Sequence, residues 1–172
     1  WKVPIKGQGN ASPIVWDDKI FVLTAVDTKV VDPSLPPPEE QPERVFGITF
    51  PNTVFRFEVL CLNRFTGKKI WQQTATEKVP HEGTHHHADF ACASPVTDGE
   101  RLYCWFGSAG MYCYSLDGTL LWTRDLGEVR VGASLGEGCS PVLHHGRIII
   151  VRDHAGQSSI EVLEAATGQT VW

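Results

Sequence analysis

The chain has 172 residues, of which 42% are hydrophobic and 20% are charged, and its formal net charge is −5. This composition is typical of one globular domain and excludes a disordered or fibrous protein. Basic residues are scattered singly along an acidic chain, so we expect no nucleic-acid partner. No run approaches the roughly 20 apolar residues of a membrane helix, and the first residues lack the layout of a signal peptide.

A recurring unit begins at a Ser-Pro pair and ends at a tryptophan that lies four residues after a glycine. The three units begin at Ser12, Ser94 and Ser140, and they close with the Gly and Trp pairs Gly67 and Trp71, Gly118 and Trp122, and Gly168 and Trp172. The closing tryptophans are about 50 residues apart, which is the size of a repeat that buries its apolar face by stacking on its neighbours.

The first unit, residues 12–71, has predicted strands near both of its ends. Residues 13–15, 19–23, 58–63 and 68–71 are rich in apolar and β-branched side chains and are separated by turn residues. Residues 27–57 form an insertion that contains a run rich in proline and acidic side chains. Because proline cannot donate to a strand ladder and these charges resist burial, we predict an exposed loop.

The connection to the second unit is the most polar segment of the chain. Residues 81–89 contain four histidines and two carboxylates. Imidazole and carboxylate groups bind transition metals, so His81, His85 and His87 are candidate ligands if the loop curls. The segment has no recognised metal-binding spacing, and we interpret it as a polar loop whose histidines bond to the backbone. Proton transfer by these histidines is a further alternative.

The second unit, residues 94–122, is the shortest and consists of four predicted strands joined by Asp-Gly and glycine-rich turns. A tight turn at Ser108 and Ala109 would place Cys104 directly opposite Cys113. Opposed Cβ atoms lie about 4.5–5.5 Å apart, which exceeds the roughly 3.8 Å of a typical disulfide. This pair is nevertheless the candidate disulfide, and most of the five cysteines are expected to be buried apolar residues.

The third unit, residues 140–172, repeats the second, with a predicted last strand over residues 169–172. A glycine-rich connection, residues 132–139, precedes it, and we expect tight packing there. Corresponding connections lie on the same face of a repeat protein. We therefore expect residues 81–89, Glu137 and the loop at Asp153 and His154 to gather where any site would lie.

The fold that these units predict is all-β. No stretch has helical periodicity, and about three four-stranded antiparallel units in series are typical of the blades of a partial β-propeller. Each closing tryptophan can pack over the glycine turn of a neighbouring unit and keep its N–H for a partner. Trp1 has the spacing of a tryptophan that closes a preceding blade.

The closing sequences resemble a known repeat. Residues 62–71 and 163–172 are similar to the L-D-x-x-T-G-x-x-x-W pattern of PQQ-like propeller repeats, although Asn63 and Glu164 replace the aspartate. The resemblance covers most of the chain outside residues 27–57. Because it implies a ring of about six to eight blades, we expect the remaining blades, further copies of the chain or a protein partner to complete it.

The resemblance implies two alternative functions. The first is a non-catalytic scaffold or binding module of the bacterial periplasm or cell exterior, for which no cofactor is expected. The second is part of a quinoprotein oxidoreductase that binds pyrroloquinoline quinone (PQQ) with calcium through missing blades. The sequence has no adjacent cysteine pair and no matching calcium ligands, so the first hypothesis is preferred.

Overall fold

The computed structural model describes residues 1–172 as three antiparallel sheets in series. The first sheet contains β1 (Ile14–Trp16), β2 (Lys19–Val31), β3 (Thr53–Asn63) and β4 (Lys69–Lys78); the second contains β5 (Val96–Thr97), β6 (Arg101–Trp105), β7 (Met111–Ser115) and β8 (Leu120–Arg124); and the third contains β9 (Val142–His144), β10 (Arg147–Arg152) and β11 (Ser159–Glu164). Within each sheet, strands that are consecutive in the chain pair with each other. The predicted all-β fold of meandering units is confirmed.

The insertion in the first unit is only partly a loop, so the predicted loop over residues 27–57 is wrong at both ends. β2 continues to Val31 and β3 begins at Thr53, with pairing at Ala25 and Phe57 and at Asp27 and Phe55. The β-branched and aromatic residues of these ends favour strand pairing over exposure. Residues 32–52 form the remaining loop, which contains short 3₁₀ turns at Pro38–Glu40 and Val45–Gly47.

The expected opposition of Cys104 and Cys113 is also wrong. Phe106 and Gly110 close a three-residue 3₁₀ turn, Gly107–Ala109, where a two-residue turn was expected. Cys104 therefore pairs with Tyr112. A shift of one residue reverses the face of every side chain, so the two cysteines lie in different cores, and all five cysteines of the chain are free.

The third sheet has three full strands where four were predicted. Residues 169–172 lie beside β11 and form a short paired segment, in which Val171 N donates to Val162 O at 2.7 Å and Val162 N donates to Trp172 O at 2.9 Å. Its one residue pair is an isolated bridge between Leu163 and Thr170, so the segment does not form a full strand.

Two apolar cores lie between the three sheets. The first joins the first and second sheets and includes Phe21, Leu23, Phe57, Val59, Leu102, Cys104 and Tyr114; the second joins the second and third sheets and includes Tyr103, Trp105, Met111, Cys113, Ile148, Ile150 and Leu163. Successive residues of β6 thus enter opposite cores, because side chains alternate along a strand. The second sheet is consequently covered on both faces. None of the helical turns has the length and apolar character to cross a lipid bilayer.

Candidate functional site

Tryptophan side chains set the spacing between neighbouring sheets. Each of three indoles covers a glycine turn, and its N–H donates to a carbonyl of that turn: Trp1 to Arg64 O at 3.0 Å, Trp71 to Leu116 O at 3.0 Å and Trp122 to Ala165 O at 3.1 Å. This geometry combines apolar contact with a satisfied indole donor. Trp172, by contrast, is 68% exposed.

Gly118 shows why a glycine is needed under the indole. Its φ is +91°, and a Cβ added there would lie 2.8 Å from Cδ2 of Trp71. A side chain at this position would strain the backbone and displace the ring. The corresponding Cβ atoms at Gly67 and Gly168 would lie 2.6 Å from Cε3 of Trp1 and of Trp122.

The serines of the Ser-Pro pairs connect successive units through their hydroxyl groups. Ser94 Oγ accepts a hydrogen bond from Ser12 N at 3.0 Å, and Ser140 Oγ accepts one from Ser94 N at 2.9 Å. The repeat pattern located these serines. It did not predict their hydrogen bonds, which depend on the distance between neighbouring sheets.

A cleft opens where the connections between sheets meet the β6–β7 turn. The cleft is partly open to solvent. The charged and imidazole side chains that line it are Lys78, His81, Glu82, Asp89 and Glu137, and the aromatic ones are Phe57, Phe90, Trp105 and Phe106. The structure thus brings the polar loop and Glu137 together, as the topology predicts. Asp153 lines an adjoining depression that also contacts Glu137, whereas His154 lines neither.

Two side chains of the polar loop hold it against the connection to the third sheet. His81 Nε2 donates to Val129 O at 2.7 Å, and Glu82 Oε2 accepts a hydrogen bond from Val131 N at 3.0 Å. Both contacts satisfy backbone groups of a segment without strand partners. These two residues therefore have a structural role in the cleft.

Glu137 binds the β6–β7 turn from the other side of the cleft. Both of its carboxylate oxygens lie 3.0 Å from Ser108 N, which donates to them. A Cβ at Gly107 would lie 2.5 Å from Glu137 Oε2, so a larger residue there would exclude the carboxylate. The sequence marked Glu137 as part of the face but not as the partner of this turn.

The candidate metal ligands His81, His85 and His87 do not converge. His81 is directed to Val129 O, while the rings of His85 and His87 lie side by side with centroids 5.3 Å apart. Nowhere in the chain do three His, Cys, Asp or Glu side chains gather so that they could hold a metal ion. Desolvation and the charges of His85 and His87 lower the pKa of His86, which lies between them.

The cysteines differ in exposure, and we predict that a native thiol titration separates them. Cys139 is exposed, whereas burial raises the pKa of Cys61 and Cys92 to about 11 and that of Cys113 to about 12. Cys104 is buried and its pKa is raised well above the usual value. Because thiolates are the reactive form, one thiol should react rapidly with Ellman's reagent near pH 8 and the rest only after unfolding. Rapid reaction of Cys104 would contradict the packing described above.

Comparisons with known proteins agree with this architecture. A family model described as "Outer membrane protein assembly factor BamB" matches residues 56–172, more than half of the chain. The chain belongs to this family of PQQ-like repeat proteins. The comparison with curated proteins found no match to the chain.

Solved structures of propeller proteins are similar to this family member. Quinohemoprotein alcohol dehydrogenase from Comamonas testosteroni matches 97% of the chain with a TM-score of 0.53 and 14% identity. Quinohemoprotein alcohol dehydrogenase ADHIIG from Pseudomonas putida HK5 matches 100% of it with a TM-score of 0.52 and 16% identity. BamB from Moraxella catarrhalis matches 70% of the chain with a TM-score of 0.43 and 15% identity. The fold is that of a partial β-propeller.

The chain is shorter than each of these proteins. It spans 21% of the length of each dehydrogenase and 33% of that of BamB. The segment has no pair of adjacent cysteines, and no three of its His, Cys, Asp or Glu side chains gather around one point.

Proposed function

We propose that this segment is a non-catalytic scaffold or binding module that contacts another protein surface through the outer face of its third sheet. The observation that carries the proposal is the apolar character of that face. Val142, Val151 and Ile160 are 55%, 40% and 53% exposed, and Val151 pairs directly with Ile160. The equivalent face of the second sheet is buried, because the third sheet covers it. Contiguous exposed apolar surface is typical of an interaction site.

The polar residues of the cleft support the same conclusion. His81, Glu82 and Glu137 each bond to backbone groups of a neighbouring segment. None of the three is therefore free to act as a base on a nucleophile. We expect no cofactor. The partner would be a protein, the remaining blades of the same ring or a further copy of the chain, in the periplasm or outside the cell.

Self-association tests the contact directly. We expect sedimentation velocity to detect reversible association of the chain, and Ile160→Lys to weaken it at least tenfold, about 1.4 kcal/mol, because the ammonium group would be desolvated. Leu120→Lys is the matched control, since Leu120 is 50% exposed on the second sheet. Equal association of the two variants would count against this face, and a chain that stays monomeric at all concentrations would exclude a further copy as the partner.

The similarity in fold to two quinohemoprotein dehydrogenases favours one alternative, a fragment of a PQQ-dependent oxidoreductase. Its test is reconstitution of the intact gene product with PQQ and calcium, followed by an assay of alcohol-dependent dye reduction. Saturable quinone binding together with turnover would replace the scaffold proposal. Absence of both would support it.

A further inference from the structure

Asp89 is a buried carboxylate with one oxygen left free. The residue is 5% exposed and lines the cleft. Its Oδ1 accepts a hydrogen bond from Ala91 N at 2.7 Å, and the Cys92 thiol donates to its main-chain oxygen at 3.0 Å. No group of the chain donates to Oδ2. Because Oδ2 has no donor in the chain and is not among its buried unpartnered atoms, it reaches solvent and is an acceptor available to a bound cation.

The cleft does not supply that cation itself. Lys78 Nζ donates to Ser108 O at 3.1 Å and lies 3.8 Å from a carboxylate oxygen of Glu128. The His81 imidazole is bonded to a backbone carbonyl. Glu82 and Glu137 add two further carboxylates to the lining. Negative groups thus outnumber the single lysine, and the local field favours a positive ligand.

Aromatic walls make an organic cation a better match than a metal ion. Phe90, Trp105 and Phe106 line the same cleft as Asp89, and aromatic faces attract ammonium groups and contact alkyl chains. A metal ion would need several converging ligands, which are absent. We propose that the cleft binds a small organic cation with a primary ammonium group, which donates to Asp89 Oδ2 while its alkyl chain lies against the aromatic residues.

Titration of the 172-residue chain with n-butylammonium tests the site, with n-butyrate as the ligand of opposite charge. Saturation-transfer NMR and calorimetry should detect saturable binding of n-butylammonium and none of n-butyrate. Nα-acetyl-lysine methylamide is the second ligand to be titrated, because a lysine side chain of a partner protein carries the same primary ammonium group. Tighter binding of one probe identifies whether a free amine or a lysine is the preferred source. No saturable binding of either amine, or equal binding of n-butyrate, would overturn the proposal without relying on any variant.

Substitution at Asp89 locates the binding. Asp89→Asn retains the Oδ1 acceptor for Ala91 N and removes the charge, and we expect it to weaken amine binding at least tenfold. Asp17→Asn is the matched control: Asp17 is exposed, and its φ of 49° is one that asparagine tolerates. Equal affinity of Asp89→Asn and the wild-type chain would place the amine elsewhere. This result is independent of the third sheet, whose contact is measured by association and not by amine binding.

Discussion

Replacing Trp71 by alanine is expected to reduce the free energy of unfolding by about 3–5 kcal/mol, the range for large aromatic truncations in a packed site. The indole packs against Phe21 and Tyr114 with ring centroids 5.9 and 6.3 Å away, and it covers Gly118. Its N–H donates to Leu116 O at 3.0 Å. Removing it would open a void between the first and second sheets, which denaturant unfolding monitored by circular dichroism would measure.

Trp172→Ala is the control, because Trp172 closes the third unit as Trp71 closes the first. Because its side chain is 68% exposed, we expect a change within about 0.5 kcal/mol, typical of surface substitutions. Comparable losses in the two variants would show that tryptophan acts through the strand itself and not through the neighbouring turn.

Phe57→Ala is expected to have a similar effect, about 3–5 kcal/mol. Phe57 is 2% exposed, its ring centroid lies 5.4 Å from that of Phe106, and it belongs to the core between the first and second sheets. If residues 27–57 were entirely an exposed loop, this truncation would be nearly neutral. Equilibrium unfolding in urea therefore distinguishes the paired ends of the insertion from its loop.

Phe46→Ala provides the comparison within the same insertion. Phe46 is 67% exposed and contacts the His85 ring edge-on at a centroid distance of 5.8 Å. We expect a loss below about 1 kcal/mol, since a single exposed aromatic pair contributes little. A loss as large as that of Phe57→Ala would mean that residues 32–52 pack as firmly as the strands.

The cleft was only partly predictable from the sequence. Equivalent connections between repeats lie on one face, and this predicts that residues 81–89 and Glu137 lie together. The pattern could not distinguish a metal ligand from a backbone partner, because that depends on where each side chain points. His81 donates to Val129 O, and Asp89 has one carboxylate oxygen without a donor.

The predicted opposition of Cys104 and Cys113 is wrong because of the length of one turn. Cys104 and Cys113 are separated by a turn whose length decides which residues face each other, and a turn of two residues and one of three are both compatible with Gly107–Gly110. The three-residue turn formed, and Glu137 bonds to it at Ser108 N. The turn that sets the register of this hairpin is thus bonded to a residue 29 positions away in the chain.

The sequence by itself determined the strand-forming units, the glycine turns and the tryptophans, because local backbone preference and a repeated spacing are properties of short segments. Only the tertiary structure decided which turn each indole covers, how far the insertion continues as strand, and which carboxylate of the cleft has an oxygen without a donor. Those features depend on contacts between residues far apart in the chain. Strand pairing at Phe57, for example, is favourable because the Phe57 side chain packs against Phe106 of the second unit.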